Sequence, residues 1–296
     1  MTSRPVRPRR SVLYMPGSNA RALEKAATLP ADALILDLED AVAPDAKVAA
    51  REQVCAMTKR RPYGRREVAI RTNPLSSEWG HADLEAAAKS GCDAILLPKV
   101  ESAAQVDEAA VLMQRHGSPP EQTIWCMIET PLGVLNAAEI AAAHPRLACF
   151  VMGTSDLAKD LHAAHTRERL PMLTSLGLCL LAARAHGLAI VDGVHLALDD
   201  EEGLEFACRQ GVELGFDGKT LIHPKQIEVA NRIFAPSAAE LDQAKKIIAA
   251  HSEAEKAGKG VVVVDGRLVE NLHVENARRL LALAEAIKAL ESATAA

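Results

Sequence analysis

The residues able to do chemistry here are marked by position. Asp37, Glu39, Arg71, Lys99, Glu101, Glu129, Asp156 and Asp192 each fall at or just past the C-terminal end of a short apolar run. Glu129, in Cys126-Met127-Ile128-Glu129-Thr130-Pro131, and Asp156, in Met152-Gly153-Thr154-Ser155-Asp156, follow neighbouring runs. Two such carboxylates leave most of an octahedral shell to water and substrate oxygens, the usual way Mg²⁺ is held. The competing reading pairs each carboxylate with a loop lysine or makes it a helix cap. No histidine cluster accompanies them, which argues against zinc. Arg71 carries a planar fork suited to bidentate capture of a substrate carboxylate. An ion pair with Asp37 or Glu39 is the alternative, and the two roles are compatible. A Schiff base on Lys99 would need a deprotonated amine, and with Glu101 close by a salt bridge is favoured. In residues 215–224 a glycine, a cation and a hydroxyl could approach phosphate groups. The same stretch also reads as a tight strand-to-helix turn with His223 capping a helix.

These residues need a scaffold that brings strand ends together. Apolar runs bounded by turn residues recur at 11–15, 33–38, 68–71, 94–98, 124–128, 149–153, 188–192 and 215–221. Amphipathic segments at 19–28, 82–90, 103–116, 137–143, 173–185 and 200–210 lie between them. Such alternation predicts βα units around a parallel sheet. The turn after the first run, Met15-Pro16-Gly17-Ser18-Asn19, lacks the glycine-rich phosphate loop of an open doubly wound sheet. An α/β fold of the (β/α)₈ barrel type is therefore expected over residues 1–235, with the polar residues converging on the mouth formed by the C-terminal strand ends. Beyond it, Ser237 and Glu240 form a capping box ahead of a charged helix ending near residue 257. A break at 258–260, a strand-like run at 261–264 and a final helix at 271–292 complete an extension over 236–296. It is too small to fold alone and is expected to pack on the barrel or a neighbouring subunit.

Composition narrows the classes of function. Of 296 residues, 49% are hydrophobic but only 3% aromatic, so the expected core is aliphatic. A net charge of −5, with no interleaving of basic and aromatic residues, gives no footprint for nucleic acid. The basic run around Arg4, Arg7, Arg9 and Arg10 is too short and proline-rich for a targeting helix and reads as a solvated leader. No apolar run is long enough to span a membrane. The scattered cysteines read as buried thiols in a reducing compartment, so a cytoplasmic protein is expected.

Taken in order, the motifs resemble a known family. Residues 11–19 (Ser-Val-Leu-Tyr-Met-Pro-Gly-Ser-Asn), 36–44 (Leu-Asp-Leu-Glu-Asp-Ala-Val-Ala-Pro), Ile70-Arg71-Thr72-Asn73, Leu97-Pro98-Lys99-Val100-Glu101, Ile128-Glu129-Thr130 and 215–224 are similar to citrate lyase β subunits, malyl-CoA lyases and citramalyl-CoA lyases. The resemblance implies a (β/α)₈ barrel, commonly trimeric, with Mg²⁺ (or Mn²⁺) on Glu129 and Asp156. It implies that Arg71 holds the 2-oxo acid carboxylate, and Asp37 is expected to position that arginine. The CoA thioester would cross the mouth near Pro16 to Arg21, Lys47 and the Gly218-Lys219 turn. Malyl-type members carry a C-terminal Gly-x-x-Val-Asp pattern whose acidic residue acts as acid/base over a neighbouring subunit. Here Gly266-Arg267-Leu268-Val269-Glu270 substitutes Glu270, one methylene longer, and Glu270 could equally just open the last helix. The implied activity is carbon–carbon cleavage or formation of a short β-hydroxyacyl-CoA, giving acetyl-CoA plus glyoxylate or pyruvate. Alternatives are a citrate lyase β subunit, a malyl-CoA thioesterase, or a silent acyl-CoA-binding barrel. Residues 154–160 (Thr-Ser-Asp-Leu-Ala-Lys-Asp) resemble the members that use free CoA.

Overall fold

The computed structural model describes residues 6–256, 258 and 261–294. The start of the basic run, including Arg4, and most of the helix break read at 258–260 lie outside them. Eight parallel strands form in chain order: β1 (Ser11–Pro16), β2 (Ala33–Asp37), β3 (Glu67–Arg71), β4 (Ala94–Leu97), β5 (Thr123–Ile128), β6 (Leu147–Met152), β7 (Ala189–Asp192) and β8 (Gly218–Leu221). Each pairs with the next and β8 closes on β1, with Ser11 beside Lys219 and Leu13 beside Leu221. The (β/α)₈ barrel expected from the alternation is the observed fold.

Residue size explains the closure. Inward-facing Val12, Ala33, Ile35, Ala69, Ala94, Leu96, Trp125, Met127 and Val151 fill the lumen as one cluster. Outward residues such as Leu13, Leu34, Leu36, Ile70, Ile95 and Ile190 join the layer against the helices. Strands buried on both faces therefore read as continuous apolar runs, without polar alternation. The helices are α1 (Ala20–Ala26), α2 (Lys47–Arg60), α3 (Gly80–Ala88), α4 (Ala103–Arg115), α5 (Pro131–Leu135), α6 (Ala137–Ala142), α7 (Thr154–Asp160), α8 (Leu173–Ala185), α9 (Glu201–Leu214) and α10 (Ile227–Phe234). The sequence pattern omitted α2, α5, α7 and α10. The first mixes charge around its circumference, and α5 and α7 are too short to show a period.

The basic run is corrected by the structure. Arg10 is buried and bridges Asp32 through two nitrogens at 2.8 and 2.9 Å, and Arg9 pairs with Glu67 at 2.7 Å with its guanidinium 5.2 Å from the Trp125 ring centroid. Both arginines belong to the N-terminal end of the barrel, where desolvated charge must be paired; they are not a solvated leader.

The chain divides into two compact units, Arg9–Phe234 and a second formed by Ala235 onward with the segment before Arg9. In the second, α11 (Ala238–Lys256) is capped as the sequence suggests: Ser237 N–H donates to Glu240 Oε2 at 2.8 Å and Glu240 N–H to Ser237 Oγ at 3.2 Å. An antiparallel hairpin, β9 (Val262–Val264) and β10 (Arg267–Val269), precedes α12 (Asn271–Thr294). Val264, Val269 and Val274 form that unit's small cluster with Ile247 and Ile248. No helix of the described residues is long and apolar enough to cross a membrane.

Candidate active site

Four strand ends build the centre of the mouth. Asp37 closes β2 and Arg71 closes β3, and the strands register these residues side by side. Arg71 donates through Nε to Asp37 Oδ1 at 2.7 Å and through Nη2 to Asp37 Oδ2 at 2.6 Å. Its Nη1 lies 2.8 Å from Glu39 Oε2, and its guanidinium carbon sits 5.0 Å from the Tyr14 ring centroid. The bidentate edge of Arg71 is thus committed to Asp37, leaving only outer Nη protons for a substrate. Burial opposes the charge, but Asp37, Tyr14 and Glu39 outweigh it and hold the guanidinium protonated. Desolvation, reinforced by the surrounding carboxylates, raises the Tyr14 phenol, and its hydroxyl points at Met127 Sδ at 3.5 Å.

Glu39 couples this pair to the next strand. Its Oε1 accepts from Lys99 Nζ at 2.8 Å, so the salt-bridge reading of Lys99 is the observed one, with Glu39 rather than Glu101 as partner. Burial raises the Glu39 carboxyl against the pull of Arg71 and Lys99. Burial works against the Lys99 ammonium, but Glu39 outweighs it and keeps the amine protonated, which removes the nucleophile a Schiff base requires. Lys99 also has φ 49°, a left-handed conformation uncommon for a side-chain-bearing residue, and in it the Lys99 N–H donates to Glu129 Oε1 at 2.8 Å. Glu101 enters through its backbone, donating to Gln105 and accepting from Asn136 Nδ2.

Glu129 follows β5 with 1% exposure. Desolvation first, then the charge of Glu39 and more weakly that of Asp156, push its pKa up to about 7 against the Lys99 N–H and Arg71. Asp156 lies in the first turn of α7, partly exposed, with Lys159 Nζ at 3.6 Å. Between them, Gly153 is indispensable: a Cβ there would stand 2.3 Å from Glu129 Cβ and 2.5 Å from Glu129 Oε2. At the opposite side of the mouth Gly17 lets the β1–α1 turn approach β2, where its N–H donates to the Asp37 carbonyl at 2.8 Å and a Cβ would lie 2.4 Å from that oxygen. Among the described residues no group of three or more His, Cys, Asp or Glu side chains is arranged to hold a metal. Any cation in this mouth must complete its shell with water or substrate oxygens.

Residues 10–224, from the first barrel strand to the end of the eighth, match the sequence profile of the HpcH/HpaI aldolase/citrate lyase family. The chain belongs to this family. It is 56% identical over 285 residues to a (3S)-malyl-CoA thioesterase of Cereibacter sphaeroides, covering 96% of this chain and 98% of that one. It is 36% identical over 290 residues to the citrate lyase β subunit of Escherichia coli strain K12, covering 96% of each. Among solved structures, a Mycobacterium tuberculosis CitE in complex with magnesium, acetoacetate and coenzyme A superposes with a TM-score of 0.74 at 32% identity, covering 94% of this chain and 98% of that one.

Within this aldolase/citrate lyase barrel the remaining expected residues separate. Pro16 ends β1 at the mouth and Arg21, on α1, is exposed. Lys47 is 6% exposed and directs its ammonium to backbone carbonyls of the acidic loop. Gly218 and Lys219 do not form a turn: both belong to β8, with Gly218 at its N-terminal end, packed so closely that a Cβ would meet the Arg9 carbonyl at 1.7 Å. Lys219 alternates with Gly218 and Thr220 and faces the helix layer, 1% exposed, donating to Asp192 Oδ2 at 2.9 Å. The expectation that Gly218 and Lys219 meet CoA phosphates fails because strand alternation turns the cation away from the mouth. Asp192 is corrected with them. Burial would raise its carboxyl, but Lys219 and Arg169, whose Nη1 is 2.6 Å away, pull it below the usual range in a buried structural cluster against α9. Glu270 belongs to the second unit, where it is exposed ahead of α12, its N–H donating to His273 Nδ1 at 3.1 Å. The sequence reading missed Tyr14 and Gly153. Alternation along β1 from lumen-facing Val12 would have placed Tyr14 inward, whereas Gly153 had no signal beyond ending a strand.

Proposed function

We propose that this chain is a Mg²⁺-dependent enzyme acting on a short β-hydroxyacyl-CoA of the malyl-CoA type, hydrolysing the thioester to malate and CoA. The observation that supports a metal-assisted reaction on a carboxylate-bearing substrate is the desolvated Glu129 near Asp156 in a mouth that also presents Arg71. The CoA thioester is inferred from the similarity to the (3S)-malyl-CoA thioesterase. The donor set fits Mg²⁺: the two carboxylates offer hard oxygen ligands, and the burial that raises Glu129, with the added repulsion from Glu39 and Asp156, is what a cation would relieve. Bound by Glu129 and Asp156, Mg²⁺ supplies Lewis-acid polarisation of substrate oxygens.

The chain's own groups do the rest. Arg71, fixed from behind by Asp37 and from below by the Tyr14 ring, orients the substrate carboxylate through its outer Nη protons. Lys99 offers a protonated amine at the rim and holds Glu129 through its backbone N–H. Glu270 is the proposed acid/base, acting over a neighbouring subunit's mouth as the family resemblance implies: in hydrolysis its carboxylate takes the proton of the attacking water and then returns it to the departing CoA thiolate. The choice of the thioester bond rests on the similarity to the (3S)-malyl-CoA thioesterase across nearly the whole chain.

The second reading, carbon–carbon cleavage of malyl-CoA or citramalyl-CoA to acetyl-CoA plus glyoxylate or pyruvate, is favoured by the similarity to the citrate lyase β subunit. There Glu270 would protonate the enolate carbon. Because CoA thioesters are intracellular metabolites, either reading places the enzyme in the cytoplasm, and a homo-oligomer, a trimer by the family resemblance, is its expected state. The deciding assay incubates purified protein with malyl-CoA and Mg²⁺. Free thiol with malate and no glyoxylate supports hydrolysis; glyoxylate with acetyl-CoA and no free thiol overturns it in favour of cleavage. Absence of both product sets from malyl-CoA, together with no acetyl-CoA and pyruvate in a parallel incubation with citramalyl-CoA, removes both.

A further inference from the structure

The acidic loop after β2 holds Glu39 between two cations. Its Glu39 and Ala41 N–H groups donate to the Asp37 carboxylate, and the Val42 N–H donates to the Glu39 carbonyl at 3.0 Å. The Leu38 and Glu39 carbonyls also take a side-chain partner. Lys47, the first residue of α2, folds back beneath this loop. Its Nζ donates to the carbonyl oxygens of Leu38 at 2.9 Å and of Glu39 at 2.7 Å, and the same nitrogen lies 5.4 Å from the Trp79 ring centroid. An ammonium has three protons; two are spent on carbonyls and the third side is covered by the ring. At 6% exposure, the side chain has no free face to offer a phosphate. Asn73 completes the clamp, donating through Nδ2 to the Leu38 carbonyl at 2.9 Å and to Asp83 at 2.6 Å. Burial lowers the Lys47 ammonium below the ordinary lysine range, and the carboxylates of Asp37, Glu39, Asp83 and Asp40 offset this only in part.

We propose that Lys47 is a positioning residue of the carboxylate–arginine site and not a contact of the CoA phosphates. It pins the carbonyls of Leu38 and Glu39, so that the Glu39 side chain stays between Arg71 and Lys99. Lys99 in turn holds Glu129 through its N–H, which makes the clamp a remote support of the carboxylate pair. Loss of the ammonium frees two converging carbonyls to separate and lets Glu39 drift, while the surfaces that meet the nucleotide are untouched. The inference rests on the reading of this mouth as an acyl-CoA site, and its test carries one arm that does not.

In the activity arm, Lys47→Met is compared with the unaltered enzyme on malyl-CoA and on malyl-pantetheine, which lacks the phosphates. The expected result is a fall in kcat of about tenfold or more on both thioesters, the scale of a small misplacement at a reacting centre, with KM for malyl-CoA changed by less than about threefold. A raised KM on malyl-CoA alone, or an unchanged kcat, overturns the proposal. In the second arm the folded, unaltered protein is reductively methylated with and without CoA and mapped by peptide mass. Lys47 is expected to resist labelling in both states, whereas Lys59, exposed near the end of the same helix, is labelled. Labelling of Lys47 that CoA suppresses overturns the proposal even if neither thioester is turned over, and in that case the functional reading fails separately.

Discussion

Replacing Gly153 with alanine adds one methyl group and tests whether the placement of Glu129 matters. The new Cβ would stand 2.3 Å from Glu129 Cβ and 2.5 Å from Oε2, whereas carbon atoms in comfortable contact lie about 3.5–4.0 Å apart. The carboxylate must therefore retreat by about 1 Å or more. Gly153 has φ −93°, which alanine adopts without strain, so the effect is steric apart from the loss of a favourable helix-capping glycine. Overpacking of this kind costs about 1–3 kcal/mol, which for a domain of this size lowers the melting temperature by several degrees at about 2–4 °C per kcal/mol. A 1 Å misplacement of a catalytic group costs about 100-fold in rate. The assay is malyl-CoA turnover against Mg²⁺ concentration, with thermal melts followed by circular dichroism. Gly177→Ala in α8, where an added Cβ meets nothing within 4 Å, is the control and is expected to stabilise by about 0.5–1 kcal/mol. Turnover and Mg²⁺ requirement equal to the unaltered enzyme in Gly153→Ala would refute the placement argument.

The other expectations concern the same mouth. Glu129→Ala and Asp156→Ala should each abolish Mg²⁺-dependent turnover with the fold intact by circular dichroism; undiminished activity in either would remove the metal assignment. Asp37→Ala removes the bidentate partner of the buried Arg71 guanidinium and leaves it only the carboxylates of Glu39 and the more distant Asp40. It should destabilise the barrel in urea unfolding by about 3 kcal/mol, the lower end of the cost of a broken buried pair, and a loss under about 1 kcal/mol would contradict the buried-pair account. The raised pKa of Glu129, about 7 against an ordinary 4.5, makes protons compete with cations. Apparent Mg²⁺ affinity should fall as pH drops below about 7, and a flat response between pH 6 and 8 would count against it. By the same linkage, the metal-free protein gains stability from Glu129 below its ordinary pKa and loses it as pH rises through about 7. The loss is on the order of 3 kcal/mol at 1.36 kcal/mol per unit, so Glu129→Gln should out-melt the unaltered protein at pH 8 but not at pH 4.

The sequence by itself determined the barrel and the residues that gather at its mouth. Apolar runs such as 33–38 and 68–71, bounded by turn residues and alternating with amphipathic segments, read as strands buried on both faces, and a polar residue ending such a run is a candidate for the C-terminal rim. For that reason Asp37, Arg71 and Glu129 were legible. The capping box of α11 was legible too, because Ser237 and Glu240 satisfy each other within one turn. Contacts remote in sequence were decided by the tertiary structure alone. Lys219 looks like a phosphate ligand in a glycine-containing stretch, but the register of β8 turns it toward Asp192 and α9, away from the mouth. Lys47 looks like a surface cation after an acidic loop, yet the fold of α2 buries it beneath two carbonyls. Asp192 shares its strand-end position with Asp37, and one step of alternation sends it to the helix layer. Composition and spacing specify where along the chain a charge occurs. Which way the charge points, and what is left to neutralise it, follows from strand register and from the packing of segments far apart in sequence.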